Sequence, residues 1–449
     1  MKVKRDGRSF TVEVTADGDG LVSHAGSALL VGAAEKTGLT RALSRRLRPL
    51  RQRGGGHDPG RVVRDLAVVL ADGGDCLSDL AVMADQAALF GEVASRSTAF
   101  RVIDMIARDP GGLERLRAAH AEARSRVWEL AGAPTRLTID LDATLIASHS
   151  EKEGTAGTFK GGYGFHPMLA YAHETGEAMG GELRPGNAGA NTAADQIAVA
   201  EHAIAQIPAE HVERIELLLR ADSAGATHEL LAWAREHRVG YSVGYELTEA
   251  VRAAILATPA ERWLATTSQD GAERPNGEVC EITASLELST WPTGSRVLVR
   301  RERPHPGAQL SFTDHDGYRF QATLTDHSDP DIAELERRHR ARAGVEDQIR
   351  NDKDTGLRNL PFRDFEHNRV WLQLVLLAHD LIVWTQWLLL DGELARCEPK
   401  RLRYRLLHTA GRLAFHARTA TLRLQAAWPW AGELAAAFAR LKALPAPAG

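Results

Sequence analysis

The chain has 449 residues, of which 44% are hydrophobic and 25% charged, so it has room for about three average domains and is too apolar to be generally disordered. Its formal net charge is −4, but the charge is spread unevenly. Residues 1–53 carry a net +6 and residues 396–449 a net +8, whereas residues 54–395 carry a net −18. Basic ends around an acidic middle suit a protein that grips a polyanion with its ends and keeps carboxylates at its centre.

The cysteines and the apolar segments indicate the cellular compartment in which the protein is expected to function. Three cysteines lie far apart, which excludes a disulfide scaffold and a cysteine-rich zinc site: Cys76, Cys280 and Cys397. The opening MKVKRDGRSFTVEV has no apolar core typical of a secretory signal. The most apolar run, 371–390, is interrupted by four polar residues that would be costly in a membrane-spanning helix: Gln373, His379, Asp380 and Gln386. We therefore expect a buried helix in a soluble cytoplasmic protein, with no membrane partner.

Residues 1–132 are predicted to be a mostly helical region. A short alternating segment comes first, and GGGHDPG at 54–60 is a flexible break. Within 76–108 the pattern predicts one helix, a break that contains glycine, and a second helix capped by Ser95 or Ser97. This layout resembles a helix-turn-helix, although a plain helical hairpin has the same pattern. Four residues at the exposed start of the second helix could read DNA base edges: Arg96, Ser97, Thr98 and Arg101.

The order of elements in residues 133–249 predicts the fold class. RLTIDLD is a strand, HPMLAYAHETGEAMGGELRPG is two strands around a turn, and RIELLLRADS and VGYSVGYEL are further strands. Helices are predicted over 192–207 and GATHELLAWAREH. Three strands, helix, strand, helix and strand is typical of a ribonuclease-H-like α/β core.

The remaining segments complete the predicted domain plan. Residues 250–328 are expected to form a β-rich insertion into the core. Residues 329–395 return to helix and supply the second part of the core. Residues 396–449 are expected to be a basic helical C-terminal tail.

Three acidic residues stand where this core would bring them together. Asp142 lies at the end of the first core strand, Asp222 at the end of the fourth, and Glu346 on the helix RRHRARAGVEDQIRNDK. Three carboxylates repel one another when they lie close together unless a cation neutralises them. A site made of oxygen ligands that leaves some coordination positions free favours Mg²⁺ or Mn²⁺. Two such ions suit phosphoryl transfer. Asp140 shares the strand face of Asp142 and is either the alternative ligand or a support for it.

Cations flank the acidic residue of the helix. Arg342 and Glu346 are four residues apart and share a helix face, and Lys353 lies two turns further along the same side. The chain has only 8 lysines against 47 arginines, which makes a lysine at this position informative. The pattern would be explained if Glu346 binds a metal ion and the basic side chains of Arg342 and Lys353, on either side of it, bind a DNA strand. A solvated ion pair is the alternative for each residue singly.

These blocks resemble the DDE transposases of bacterial insertion sequences, in the cut-and-paste group with a Y-x2-R-x3-E-x6-K signature. The resemblance covers roughly residues 54–390 and is nearest to the insertion-sequence 1380 family, through LTIDLDATLIASHS, GGYGFHPMLAYAHETGEAMGGELRPGNAGA, LLLRADSAG and RRHRARAGVEDQIRNDKDTGL. It implies a ribonuclease-H-like core, the metal ligands Asp142, Asp222 and Glu346, and DNA contacts by Arg342 and Lys353. The signature tyrosine is replaced here by His339.

The resemblance also implies DNA contacts outside the triad. Arg184 and Asn187 match an Arg-Gly-Asn loop that could touch the DNA backbone, although a glycine-rich turn would use the same residues. Either tryptophan of the insertion, Trp263 or Trp291, could stack on a flipped base, or could pack between insertion and core.

The function predicted from these features is cut-and-paste transposition. The enzyme would bind the terminal inverted repeats of its element as a homodimer, cleave a strand and transfer the 3′-hydroxyl to target DNA. An inactive DNA-binding derivative of a transposase is one alternative. A haloacid-dehalogenase-type phosphatase with Asp140 and Asp142 as its D-x-D-x-T motif is another, but no GD-x-x-x-D follows Asp222.

Overall fold

The computed structural model describes residues 1–51, 56–148, 151–159, 161–189, 192–304 and 314–447. Its α-helices, in chain order, are α1 Ala28–Lys36, α2 Leu39–Leu47, α3 Pro59–Ala71, α4 Ala81–Ala84, α5 Ala87–Phe90, α6 Arg96–Arg108, α7 Gly112–Ala131, α8 Ala193–Ile204, α9 Ala209–Val212, α10 His228–Glu236, α11 Glu249–Leu256, α12 Ile332–Arg340, α13 Gly344–Asp352, α14 Phe365–Leu389, α15 Pro399–Leu402 and α16 Ala431–Ala443. Its strands are β1 Lys2–Arg5, β2 Arg8–Thr11, β3 Leu21–Val22, β4 Arg136–Ala143, β5 Ile146–Ala147, β6 Ala156–Gly157, β7 Tyr163–Phe165, β8 Met168–Ala172, β9 Ala178–Glu182, β10 Glu216–Ala221, β11 Gly240–Tyr245, β12 Leu264–Thr267, β13 Glu273–Glu281, β14 Arg296–Glu302, β15 Arg319–Thr325, β16 Gly411–His416 and β17 Thr419–Leu424.

A mixed sheet of nine strands forms the centre of the molecule, in the order β12-β13-β14-β15-β11-β10-β4-β8-β9. Strand β10 runs parallel to both β4 and β11. On one side β8 and β9 continue antiparallel, and on the other side β15, β14, β13 and β12 do the same. The chain is therefore a mixed α/β protein, as the sequence predicts. The strands of residues 250–328 extend this sheet, because β15 pairs with β11 from Ser242↔Thr325 to Tyr245↔Ala322.

The core strands are apolar because helices cover them. All five residues of β8 are buried, as are the last four of β10. Helix α8 packs on β8 and β9, and α14 packs on β9 and on four helices of the N-terminal region, α1, α3, α6 and α7. A strand buried on both faces has a continuous run of apolar residues, which is the pattern of LLL in β10.

Among the described residues, α14 is the helix long and apolar enough to cross a membrane, and 83% of its most apolar window is buried inside the protein. Its polar residues bond within the fold. Gln373 donates to the Gly181 carbonyl, and Gln386 donates to the carbonyls of Leu394 and Cys397. Here α14 is the helix around which the N-terminal region and the sheet pack.

The predicted helix-turn-helix differs from the structure in its first half. The segment expected to form one helix is divided into a 3-10 helix at Leu77–Leu80 and the short α4 and α5. The Asp79 carboxylate accepts from the backbone N–H groups of Asp75 and Cys76, and such local bonds compete with a continuous helix. The second helix, α6, begins where predicted: Ser95 is its N-cap, and the Ser95 hydroxyl accepts from the Thr98 N–H.

The C-terminal segment is only partly helical, which corrects the prediction of a helical tail. Between α15 and α16 it forms the antiparallel pair β16 and β17, and β16 also pairs with β3 near the start of the chain. Leu413 and Phe415 alternate with Arg412 and Ala414, which is a strand period, and Ala417 adopts a positive φ of 50° at the turn. The helix α11, within the predicted β-rich insertion, is likewise a departure from the expected strands.

Candidate active site

A cleft of about 680 Å³ opens at the edge of the sheet where β4 and β10 end. Asp142 is the next-to-last residue of β4, and Asp222 follows β10 directly. Glu346 lies in the first turn of α13. All three carboxylates line the cleft, because neighbouring parallel strands end at the same edge and α13 passes beside them. This juxtaposition is the one the sequence predicts.

The three carboxylates differ in burial and in support. Asp142 is half-buried, and its Oδ1 atom accepts from the Ala143 N–H at 3.0 Å and lies 3.2 Å from the Arg342 guanidinium. Asp222 is exposed and its Oδ1 accepts from the Ala224 N–H at 3.0 Å. Glu346 is exposed.

Charge is crowded in this cleft. Burial, opposed by the Arg342 guanidinium and reinforced by the carboxylates of Asp222 and Glu346, raises the pKa of Asp142 to about 6. A raised pKa of this kind means that too little positive charge lies near the carboxyl group to stabilise its ionised form. The donor set consists of carboxylate oxygens, which suits a hard divalent cation. The chemistry of these side chains therefore fits a metal ion, but among the described residues the three carboxylates do not form a group with all ligand atoms within 4.8 Å of one another.

Asp140, the alternative ligand, is occupied elsewhere. The Arg220 side chain donates to Asp140 through Nε at 2.5 Å and through Nη2 at 2.7 Å, and both residues are buried. Arg220 also donates to the Arg338 carbonyl in α12. Asp140 does not line the cleft that holds Asp142. Its role in this structure is to pair β4 with β10 through a buried ion pair.

The residues of the predicted R-x3-E-x6-K pattern lie on broken helix rather than on one continuous helix. Arg342 is in a 3-10 turn between α12 and α13. Lys353 opens a π-helical turn over Lys353–Leu357, within which Gly356 has a positive φ of 99°. All three pattern residues nevertheless line the cleft. The Arg342 guanidinium lies 3.2 Å from the Asp142 carboxylate in this cleft.

His339, at the position of the signature tyrosine, is a neutral hydrogen-bonding group. Burial and the nearby guanidinium groups of Arg220 and Arg342 lower the pKa of His339 to about 3. Its Nδ1 atom lies 2.9 Å from the Ser242 hydroxyl of β11. The side chain therefore ties α12 to the sheet and does not line the cleft.

The cleft contains residues that sequence reasoning missed. Phe159 and His166 also line the cleft, with ring centroids 5.4 Å apart, and Phe159 is 66% exposed. Arg350 and Arg358 also line the cleft, beside Arg342 and Lys353. An exposed phenylalanine within the segment TFKGGYGF was the available signal, but the sequence does not show which loop faces the carboxylates.

Arg184 and Asn187 occupy the loop after β9 in different ways. Arg184 is buried and donates to the carbonyls of His166 and Gly189 and to the Asp195 carboxylate. These bonds favour the turn-forming alternative for Arg184. Asn187 is exposed on the same loop.

The two tryptophans of residues 250–328 are not equivalent. Trp263 is 7% exposed, beneath the Arg301 guanidinium at 4.2 Å from the ring centroid, so it packs within the sheet layer. Trp291 is half-buried and stacks on His228, which begins α10, with ring centroids 4.0 Å apart. Trp291 is therefore the more accessible of the two.

The start of α6 presents the residues predicted to read DNA. Arg96, Ser97 and Arg101 are exposed, and Thr98 is half-buried. The Arg101 guanidinium donates to the Thr98 hydroxyl at 2.9 Å. The opposite side of α6 is anchored in the core by the apolar residues Ala99, Ile103 and Ile106.

An α/β sheet whose strand ends bring three carboxylates and several cations into one cleft defines a protein suited to metal-assisted chemistry on a phosphate ester. Comparison with protein families makes the class specific. The family model described as "Transposase DDE domain group 1" matches residues 4–446, and the chain belongs to this family.

The chain was also compared with curated proteins and with solved structures. No curated protein matches the chain. Among the solved structures that match is a piggyBac transposase synaptic complex with hairpin DNA, which is 9% identical in sequence, with a TM-score of 0.43 over 85% of this chain and 80% of that one.

Proposed function

We propose that the protein is a metal-dependent DNA transposase that excises and inserts an insertion sequence. Asp142, Asp222 and Glu346 are its catalytic triad. The observation that carries the proposal is that three acids from β4, β10 and α13 line one cleft together with Arg342 and Lys353. Membership of a DDE transposase family makes the strand-cleaving chemistry the natural use of such a cleft.

We assign the catalytic core to the ribonuclease-H-like class. In support, β9, β8 and β4 form an antiparallel trio, and β10 and β11 follow parallel to β4. Helices α8 and α10 each precede the next strand of the parallel group. The order along the chain and the order across the sheet agree with that class.

Divalent metal ions belong to this chemistry in DDE transposases. Asp142, Asp222 and Glu346 would hold Mg²⁺, or Mn²⁺ in its place, and two ions are proposed. Bound ions of this kind supply an activated water or 3′-hydroxyl and neutralise the leaving oxygen of the phosphodiester.

The side chains of the cleft have separate tasks. Arg342 orients the Asp142 carboxylate from 3.2 Å, and the Ala224 N–H orients Asp222. Lys353 and Arg358 add positive charge at the wall where a DNA phosphate would approach the carboxylates. Held in this way, the strand presents its scissile phosphate to the triad.

DNA recognition is proposed for surfaces outside the cleft. The start of α6, with Arg96, Ser97, Thr98 and Arg101, is the base-reading segment for the terminal inverted repeats. Coordinated cutting of two ends calls for a homodimer on DNA. Membership of the insertion-sequence 1380 group, with His339 in place of the signature tyrosine, is part of the same proposal. The predicted DNA contact by His339 is not part of it, because the His339 Nδ1 atom is bonded to the Ser242 hydroxyl and the side chain does not line the cleft.

The buried ion pair of Asp140 disfavours the phosphatase alternative. That mechanism requires the first Asp of D-x-D-x-T to be an accessible nucleophile, whereas Asp140 is 2% exposed and bonded twice by Arg220. The strand beside β4 opposite β10 is also antiparallel, and the alternative needs a parallel sheet.

The test is strand cleavage of plasmid DNA that carries the inverted repeats flanking the gene, with Mg²⁺ or Mn²⁺. The variants Asp142→Asn, Asp222→Asn and Glu346→Gln are expected to abolish cleavage and to retain binding to the repeats. Asp347→Asn is the matched control, because Asp347 is the exposed neighbour of Glu346 and does not line the cleft. Full cleavage by all three triad variants would refute the site. Binding by the wild type without any nicking would identify an inactive DNA-binding derivative.

A further inference from the structure

A second group of metal-binding side chains lies away from the acidic cleft, where the N-terminal helices contact the C-terminal segment. His24, Asp72 and His408 meet there, although they are far apart in sequence. The His24 Nδ1 atom lies 2.5 Å from Asp72 Oδ2, and the His408 Nε2 atom lies 3.3 Å from Asp72 Oδ1. The two imidazole rings are 4.2 Å apart between centroids. Two imidazoles and a carboxylate therefore face one point.

The backbone around these residues is arranged to present them. His24 adopts a left-handed conformation, with φ 53° and ψ 32°, which is unfavourable for a residue with a side chain of this size. Asp72 caps the C-terminal end of α3, and His408 follows the π-helical turn Arg403–Leu407. A strained residue held in place by its surroundings is frequent at ligand clamps.

The carboxylate at the centre is already oriented. Asp72 is 8% exposed, and the Ser27 hydroxyl donates to its Oδ1 atom at 2.6 Å. A buried carboxylate that is held by a neighbouring hydroxyl is typical of metal sites.

The distances suit a tetrahedral ion. Bond lengths of about 2.1 Å to nitrogen and oxygen place the ligand atoms of a tetrahedral zinc site roughly 3.4 Å apart. The separation of His408 Nε2 from Asp72 Oδ1, 3.3 Å, is near this value. To bind an ion, His24 Nδ1 would retreat by about 1 Å from Asp72 Oδ2, and His408 Nε2 would give up its 2.9 Å bond to the Asp72 main-chain carbonyl, so that each exchanges a hydrogen bond for a bond to the shared ion. Imidazole nitrogen selects zinc over magnesium.

We propose that His24, Asp72 and His408 form a zinc site that fastens the C-terminal segment to the N-terminal helices. A water molecule completes the coordination, since both histidines retain some exposure: 25% for the His24 side chain and 39% for that of His408. This site lies outside the acidic cleft and has a structural role.

The zinc site is joined to the cleft through one arginine. Arg403 lies in the same C-terminal segment, and its Nε atom donates to the carbonyl of Ala71, the residue before Asp72. Its Nη1 atom donates to the carbonyl of Asp354, the residue after Lys353, and its Nη2 atom to the Thr355 hydroxyl. The ion would therefore stiffen the support of the turn that presents Lys353 to the cleft.

Zinc content and stability of the full chain, purified without a polyhistidine tag, test the site. After dialysis against zinc and then buffer, the wild type is expected to retain one zinc ion per chain more than His24→Ala or His408→Gln, measured by mass spectrometry of the metal. His416→Ala is the matched control, because His416 is an exposed histidine on the neighbouring strand β16. Zinc held in the acidic cleft is common to all of these proteins and cancels in the comparison.

Further variants keep the test decisive. Ser27→Ala is expected to weaken zinc binding by about tenfold, because it removes the bond that orients Asp72. Cobalt in place of zinc is expected to show the intense visible bands of tetrahedral geometry in the wild type and to lose them in His408→Gln. Equal zinc content in the wild type and in His408→Gln, with both folded by circular dichroism, would refute the site and leave a hydrogen-bonded cluster. The comparison does not involve DNA, so it is independent of the transposase assay.

Discussion

Removal of Arg220 would leave the Asp140 carboxylate buried without its partner. Asp140 is 2% and Arg220 1% exposed, and the two hydrogen bonds between them are 2.5 and 2.7 Å. The His173 Nδ1 atom lies 3.9 Å from Asp140 Oδ2, but burial lowers the pKa of His173, so its ring is a poor counter-charge at neutral pH. An ion pair broken on one side at this depth costs about 3–5 kcal/mol. Arg220→Met is therefore expected to lower the free energy of unfolding by about that amount.

Removal of both charges should restore most of the loss. In Asp140→Val/Arg220→Met no buried charge remains, and a β-branched residue suits the central strand β4. The Arg338 carbonyl still loses its donor, which costs about 1–3 kcal/mol. The double variant is thus expected to lie below the wild type by roughly that smaller amount and to be more stable than Arg220→Met alone. Urea denaturation followed by tryptophan fluorescence measures the difference.

The same pair of variants separates the two roles considered for Asp140. A residue that only joins β4 to β10 can be replaced together with its partner, so the folded double variant is expected to retain Mg²⁺-dependent strand cleavage. A metal ligand cannot be replaced in this way. Loss of cleavage in the folded double variant, or a double variant no more stable than Arg220→Met, would refute the reasoning. Asp142→Asn serves as the control for complete loss of cleavage.

Three further predictions concern stability and catalysis. Burial alone would lower the pKa of His379, but the Asp352 carboxylate beside it raises that pKa to about 9, so the folded protein binds this proton more tightly than the unfolded chain. The resulting stabilisation is fully present below about pH 6.5 and is lost as the pH rises through about 9, and His379→Gln should flatten this dependence in thermal melts. Ser95→Ala removes the N-cap of α6 and is expected to cost about 1 kcal/mol in urea denaturation. Lys353→Ala is expected to lower cleavage of the repeat-containing plasmid while leaving the denaturation midpoint near that of the wild type, and Lys353→Arg should restore part of the rate.

Each of these has a contrary result. If the melting temperature of the wild type changes between pH 6.5 and 9 in the same way as that of His379→Gln, the Asp352 carboxylate does not raise the pKa of His379 as proposed. A Ser95→Gly variant as unstable as Ser95→Ala would argue against capping, because glycine is tolerated at this position. Unchanged cleavage by Lys353→Ala would remove the lysine from the phosphate-binding wall.

Much of the fold could be predicted where one short-range pattern dominates. The runs of β8 and β10 are apolar and bounded by turn residues, and the strand ends at Asp142 and Asp222 follow from the change to polar sequence. The common edge of β4 and β10 then brings the acids together. Pairing at long range could not be predicted in the same way. Nothing local marks Arg220 as the partner of Asp140, 80 residues away, or distinguishes a buried carboxylate from an accessible one on the same strand face.

The C-terminal segment shows a different limit. Its alanine and arginine content favours helix, and the strand period of β16 covers only six residues. What stabilises β16 as a strand is its hairpin with β17, with six pairs from Gly411↔Leu424 to His416↔Thr419, and two further pairs with β3 near the other end of the chain. Strand pairing thus overrides the local preference for helix, and the composition of the segment does not reveal the contact with β3.

The continuation of the sheet through β15 determines what would follow from deleting residues 250–328. Without β15, the backbone N–H and C=O groups of β11 that now pair from Ser242 to Tyr245 would form an open edge beside the acidic cleft. An uncovered edge of this kind is a template for strand addition by another chain, and so for aggregation. Shortening the segment at the β12–β13 hairpin instead transfers the edge to β14 and leaves β11 sealed. The segment therefore protects the solubility of the sheet, which limits how far it can be trimmed.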